Sequence, residues 1–401
     1  MDMQTMKHID RLAGNPLCGG LRLYEIIRSR VKTGGTRQAD HLFEGRAGRP
    51  RIAVVKFWGM GSLILAAPLF SALRRTNPDS EIHLITLSQN RGIVEILGIA
   101  DRAHYLELPP GAFRTASRII GLFDRVKELC PDIVIDLEYL TRFSAIVSYL
   151  SGAPVRVGFH SWDVWRGNLH TISRAFNPYW HITENFLNLH NALGREAEAR
   201  DPVRIELSGE EDEEAQRLLA SRGVADDERV IAFNTNASTM ALARRWPEDS
   251  FAALIDRVTD ANLGRVVLLG APDEAPYVGR VHLKTRRPEK ALNLAGQSSL
   301  RGLVGILRRA SLLVTNDSGP LHLADALGTR TVSFFGPETP VLFGPRGQDH
   351  IVLYHGIDCS PCINIYNAKT VRCMRSEPEC LSKISVEEAL AAVKKAMGEE
   401  R

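Results

Sequence analysis

No stretch of the 401-residue sequence approaches the roughly 20 consecutive apolar residues that a bilayer-spanning helix needs. The N-terminus lacks both a long apolar h-region and a small-residue cleavage site, so no secretory signal is expected and the cytoplasm is the expected compartment. Charge of one sign is scarce in excess: 50 Lys and Arg stand against 47 Asp and Glu, a net of +3. With no compact basic run interleaved with aromatics, nucleic acid is not an expected partner. A G-x-G-x-x-G dinucleotide fingerprint is also missing. What remains is ordinary for a globular protein, 44% apolar and 24% charged, and long enough for two α/β domains.

The most informative segment is Thr315-Asn316-Asp317-Ser318-Gly319-Pro320-Leu321-His322, continuing to Gly328. It follows the apolar run Ser311-Leu312-Leu313-Val314, which reads as a buried strand, and it leads into an apolar helix. Asp317 and Ser318 then stand at a helix start, where unpaired N–H groups attract anions and phosphates above all. His322 lies one turn further on. A second strand, Thr331 to Phe335, ends in Gly336-Pro337 at the same sheet edge. The plain alternative is a βαβ turn whose Asp and Ser merely cap the helix.

Similar strand–turn–helix patterns recur along the chain. Ile52 to Phe57 reads as a first buried strand, followed by Trp58-Gly59-Met60-Gly61-Ser62 and a helix from Leu63 to Thr76. Glu81 to Thr86 and Ile133 to Leu137 are later strands; a second series starts at Val230 to Phe233 and continues through Val266 to Leu269. Strands alternating with helices predict parallel sheets covered on both faces. The expected division is a basic segment and linker over 1–50, a first Rossmann-like domain over 51–207 and a second over 208–384. The terminal helix, 385–401, is expected to pack back on the first domain.

Two regions stand apart. Residues 1–51 hold ten Lys and Arg against five Asp and Glu, a net of +5, and residues 1–32 interleave apolar and basic side chains. Such a segment suits an anionic membrane surface, here the inner face of the inner membrane. It suits equally a helix packed on the protein body with its basic face in water. The other region, 359–380, carries Cys359-x2-Cys362-x10-Cys373-x6-Cys380. Four thiolates could ligate a structural zinc there, while reduced thiols are the expectation in a reducing compartment. Cys18 and Cys130 are isolated.

The string D-S-G-x-x-H-x-x-x-A-x-G over Asp317 to Gly328 closely resembles the donor-binding signature of glycosyltransferase family 9, the bacterial heptosyltransferases of lipopolysaccharide synthesis. The resemblance covers roughly residues 51–395. It implies a GT-B architecture of two Rossmann-like domains facing across a cleft, and inverting transfer from a nucleotide diphosphate sugar, ADP-heptose in that family, to a glycolipid acceptor. On that resemblance Thr235, Asn236 and Ser238 line the donor phosphates. Arg244, in Arg244-Arg245-Trp246-Pro247, pairs with the diphosphate, for which a planar guanidinium is suited. Glu274 accepts from the ribose, and Asp317, Ser318, Gly319 and His322 complete the site. The family stabilises the leaving diphosphate without a divalent metal or other cofactor, and no D-x-D string follows a strand here to hold magnesium.

One position departs from the family. Its members carry G-D after the first strand, the Asp being the proposed general base; this chain has Gly61-Ser62, and a serine hydroxyl is no base at neutral pH without help. The nearest carboxylates, Asp136 and Glu138, follow another strand of the same domain, and Glu138 is the expected substitute. Arg142 and His160, with Glu184, are the candidates for the acceptor side. Two rival functions remain at this stage: a nucleotide-sugar-binding subunit without turnover, and a GT-B-like sugar-nucleotide epimerase or hydrolase.

Overall fold

The computed structural model describes residues 3–31, 49–160, 164–194, 197, 205, 209–237, 241–364 and 373–399. Two compact units divide the chain, Met1–Asp201 and Pro202–Arg401. The boundary expected between 207 and 208 lies outside the described residues, as does most of the expected linker.

The first unit begins with α1 (Met3–Val31), then β1 (Arg51–Val55), α2 (Met60–Thr76), β2 (Glu81–Leu87), α3 (Arg91–Leu97) and β3 (Arg102–Leu106). It continues with α4 (Ala112–Leu129), β4 (Ile133–Asp136), α5 (Arg142–Leu150), β5 (Val155–His160), β6 (Ile172–Ala175) and α6 (Ile182–Asn191). Its six strands lie in the order β3-β2-β1-β4-β5-β6, and every pairing is parallel. Ile52, Ala53, Val54 and Val55 are all fully buried, as expected of a central parallel strand with helices on both faces.

The second unit runs α7 (Gly209–Ala220), β7 (Val230–Asn234), α8 (Glu248–Asp260), β8 (Arg265–Leu269), α9 (Ala275–Leu283), β9 (Ala291–Asn293) and α10 (Leu300–Arg309). It closes with β10 (Leu312–Asn316), α11 (Gly319–Leu327), β11 (Thr331–Phe335), α12 (Pro340–Phe343), β12 (His350–Tyr354), α13 (Glu379–Ser382) and α14 (Val386–Met397). Here the order is β12-β11-β10-β7-β8-β9, again all parallel. The core contains Trp246 stacked on Phe334 at 4.4 Å between ring centroids, with Phe251 edge-on to both.

Two expectations change. Helix α14 was expected to pack back on the first domain, but its buried face, Ala389, Ala392, Val393 and Met397, belongs to the second unit's own core. Helix α1 does pack on the body, yet through small and acidic residues. Gly14 sits so close to Arg142 that a Cβ would meet its Cδ at 2.8 Å; Cys18 is buried, and Glu25 accepts from the Tyr149 hydroxyl at 2.7 Å. The apolar Ile9, Leu12, Leu17, Leu23 and Ile27 are exposed instead.

Candidate donor site and its counterpart

Each sheet reverses its winding once, between β1 and β4 in the first unit and between β7 and β10 in the second. At such a point the loops leaving two adjacent strands diverge, which opens a crevice at the carboxyl edge where ligands of this fold class bind. Thr235, Asn236, Arg244, Asp317, Ser318 and His322 follow the strands of one of these points, and Ser62, Asp136 and Glu138 lie at the other.

In the second unit β10 delivers Asn316 and Asp317 to the edge, and Ser318 caps α11 in extended conformation. The Ser318 hydroxyl makes no cap bond. It accepts from Asn234 Nδ2 at 2.9 Å and lies 3.1 Å from Thr315 Oγ1, which leaves the first N–H groups of α11 unclaimed by it. Asp317, buried, pairs through Oδ2 with Arg244 Nη1 at 3.0 Å. From β7 come Thr235 and Asn236, both buried, whose Oγ1 and Oδ1 have no hydrogen-bond partner; Arg244 Nε is likewise unpaired. Buried polar atoms are rarely orphaned unless a ligand or water completes them. His322 lies buried one turn into α11. One strand over, Glu274 Oε2 accepts from Ala271 N at 2.8 Å and closes the loop after β8. Ser238 lies outside the described residues.

The sequence reading missed the residue that holds these loops together. Asn316 Nδ2 donates to the Thr235 and Asn236 carbonyls at 2.9 and 3.2 Å, while its Oδ1 accepts from Trp246 N at 2.8 Å. One side chain thus ties β10, the loop after β7 and the Arg244–Trp246 segment. A polar amide ending an apolar strand was the available signal.

The corresponding point of the first unit is closed by its own charges. Glu138 is buried, and its Oε1 accepts from Lys56 Nζ at 2.8 Å, Phe57 N at 2.8 Å and Trp58 N at 2.9 Å. Three donors converge on that oxygen, so Glu138, the expected base, anchors the β1–α2 loop. Asp136 is fully buried against Arg166 and His170, and its Oδ1 accepts from Glu138 N at 3.0 Å. Burial opposes ionisation of Asp136, but the Arg166 guanidinium and His170 outweigh it and hold the carboxyl below the usual range. Burial likewise pushes His170 down. Ser62 sits half-buried in the first turn of α2, after Gly59, whose φ of 86° favours glycine.

The family model of glycosyltransferase family 9 (heptosyltransferase) matches residues 120–370. The chain belongs to that family. It is 23% identical to lipopolysaccharide heptosyltransferase 3 of Escherichia coli K12 over 356 residues, 85% of this chain and 96% of that one. Among solved structures, the family 9 glycosyl transferase from Veillonella parvula superposes with a TM-score of 0.72 at 24% identity, covering 88% of this chain and 98% of that one. E. coli ADP-heptose lps heptosyltransferase II gives 0.68 at 19%, covering 87% and 99%. These likenesses show the two-domain GT-B fold.

The acceptor candidates of this family 9 glycosyltransferase do not converge. Arg142, expected to face an acceptor, is buried under α1: its N–H and that of Phe143 donate to Asp10, at 3.0 and 2.8 Å, and its Nε donates to Asn15. Asp10 thereby caps α5 from another helix, since Thr141 at the N-cap position makes no side-chain cap bond. His160 ends β5, exposed, beside a shallow pocket lined also by Trp165, Arg166 and Asn168. Glu184 lies in the first turn of α6. Among the described residues no group of three or more His, Cys, Asp or Glu is arranged to hold a metal ion.

Proposed function

We propose that the chain transfers a heptose from an ADP-linked donor to a lipopolysaccharide-type glycolipid, with inversion and without a divalent metal. The supporting observation is the β7–β10 switch point. There a helix N-terminus, the Arg244 fork and the orphaned oxygens of Thr235 and Asn236 converge on one edge. Such a constellation stabilises a departing diphosphate. In the reaction the acceptor oxygen attacks the anomeric carbon, the carbon–phosphate oxygen bond breaks, ADP leaves with the bonding pair and the hydroxyl proton passes to a base. Similarity to E. coli ADP-heptose lps heptosyltransferase II supports both the nucleotide and the acceptor class. Glu138 is read as positioning the Phe57–Ser62 loop rather than receiving that proton.

Calorimetric titration with ADP-, UDP- and GDP-sugars, followed by transfer to a glycolipid lacking the terminal sugar, tests the proposal. Tightest binding of the ADP-linked donor and stoichiometric ADP release with acceptor are expected. Preference for UDP or GDP overturns the donor assignment; donor binding without acceptor-dependent release overturns the transfer.

The acceptor class also gives α1 a role. With Asp10, Gly14, Cys18 and Glu25 turned to α5, the exposed Ile9, Leu12, Leu23 and Ile27 fall on the opposite side at helical spacing. That face suits shallow insertion among lipid headgroups; no helix of the described residues is long and apolar enough to cross the bilayer. Co-sedimentation with anionic vesicles should be lost in an Ile9→Glu/Leu12→Glu variant, while its donor affinity is unchanged.

A further inference from the structure

Arg244 and Arg245 leave one turn in different directions. Arg244 reaches Asp317 at the end of β10, on one side of β7. Arg245 reaches Tyr277 in the first turn of α9, which follows β8 on the other side. The turn is held by the next residue, since Trp246 is fully buried and its N–H donates to Asn316 Oδ1 at 2.8 Å. The Arg245 guanidinium lies over the Tyr277 ring, its Cζ 3.9 Å from the centroid, and Tyr277 is buried. Helix α9 is seated firmly on the end of β8: a Cβ on Gly270 would meet Val278 Cγ2 at 3.0 Å.

Arg245 is the unmatched cation of this group. Arg244 has Asp317, and Arg280, which also approaches Tyr277, has Glu248. Among the described residues no carboxylate lies within ion-pair distance of Arg245, and its Nε is buried without a hydrogen-bond partner. Burial pushes its guanidinium below the ordinary value, with Tyr277 and Glu274 opposing. An arginine withdrawn from water for structural reasons alone is expected to hold a carboxylate. Half-buried and with one face on a tyrosine, Arg245 instead offers a planar cationic surface. A planar surface takes a planar ligand. A nucleotide anchored by its diphosphate between β7 and β10 carries its nucleoside on one arm. Glu274, which the family resemblance assigns to the ribose, stands three residues before Tyr277. A base beyond that ribose would meet the Arg245–Tyr277 stack, whereas a saturated sugar ring has no π-face to match it.

We propose that Arg245, held flat by Tyr277, is the platform on which the purine base of the donor stacks, and that this pair sets the preference among nucleotides. It rests on the reading of the β7–β10 edge as a nucleotide-diphosphate site. Arg245 and Tyr277 thereby make a contact separate from the diphosphate, which Arg244 grips. Two fused rings cover more of a guanidinium than one, so a purine gains more from the platform than a pyrimidine.

Titration calorimetry of the full chain with ADP, UDP and inorganic pyrophosphate tests the platform. Arg245→Leu should weaken ADP by about 10- to 100-fold, UDP by on the order of 3-fold and pyrophosphate by less than about 2-fold. The retained pyrophosphate affinity also shows that the cradle is still folded. Arg245→Lys should lose nearly as much ADP affinity, because an ammonium keeps the charge and not the plane. Tyr277→Phe, which keeps the ring, should bind ADP as the native chain does. Rescue by lysine, or a pyrophosphate loss equal to that of ADP, would make Arg245 a phosphate ligand and overturn the platform. Equal losses for ADP and UDP, or unaltered ADP affinity in Arg245→Leu, would overturn it as well. No ADP binding by the native chain would overturn the donor reading itself, and the platform with it.

Discussion

The two switch points share a strand order and differ in what fills them. Around β1 and β4 charged groups answer each other: Lys56 with Glu138, and Arg166 with Asp136. Around β7 and β10 the framework amides are satisfied, but Thr235 Oγ1, Asn236 Oδ1 and Arg244 Nε are buried without partners. The same topology thus yields a self-contained anchor in one unit and an incomplete cradle in the other. An unsatisfied buried group costs about 1–3 kcal/mol, so a cradle that leaves several open is stable only as a place for something else. That difference is why we propose the second point for the donor.

The sharpest way to break this contrast is to open the closed point. Glu138→Gln leaves the buried Lys56 charge without its partner, and unfolding by urea should show a loss of about 3–5 kcal/mol. The double variant Lys56→Met/Glu138→Gln should recover much of it, because neither charge is then stranded. The fraction of Glu138→Gln that folds should keep its donor affinity and the pH profile of turnover, with kcat lowered. Loss of the acidic limb of that profile would instead make Glu138 the base.

Opening the incomplete point should act on the ligand rather than the fold. Arg244→Ala removes the guanidinium from Asp317 and from the diphosphate, and ADP affinity should fall by about 1.5–3 kcal/mol, on the order of 10- to 100-fold. Arg244→Lys should recover only part, because a point charge cannot reproduce the fork. Titration calorimetry measures both. Equal losses of stability and affinity would show that Arg244 is a structural ion pair like its counterparts.

Much of this contrast was legible in the residues. Apolar runs such as Thr331 to Phe335 gave the strands, because a central parallel strand is buried on both faces and so reads as continuous. The Asp317–Gly328 string gave the turn from β10 into α11 because a helix N-terminus after a strand is a local feature. The partners of Glu138 and Arg142 were hidden for one reason: each lies far along the chain, Lys56 in the first case and Asp10 in the second. Local sequence shows that a charge is present near an edge, and only the packing shows whether something already neutralises it. Asn316 escaped because its importance lies in three backbone contacts on two other segments.

Acid should separate the units by a smaller margin. His83, His104 and His170 are all in the first unit, and burial lowers each below its ordinary range. A histidine depressed in the folded state binds fewer protons there than when unfolded. Its contribution is therefore fully present above the unfolded value of about 6.5 and is lost as pH falls through the folded one. Asp136, also depressed, adds a loss of the same sign at lower pH. Hydrogen exchange between pH 7 and 5 should show protection falling first in β1–β6. Simultaneous loss in both units would mean that they unfold as one.

The smallest expected effect concerns α1. Asp10 satisfies the Arg142 and Phe143 N–H groups, so Asp10→Ala uncovers the first turn of α5 and should cost about 1 kcal/mol, the usual value of a cap. Amide exchange should quicken at Arg142 and Phe143 and not along α11. Asp10→Asn, which keeps an acceptor oxygen, should restore most of the protection. ADP affinity should be untouched, since Arg142 is bound to α1 and lies on the unit without the cradle. A fall in affinity comparable to that of Arg244→Ala would return Arg142 to the substrate side and make the first unit more than a self-contained frame.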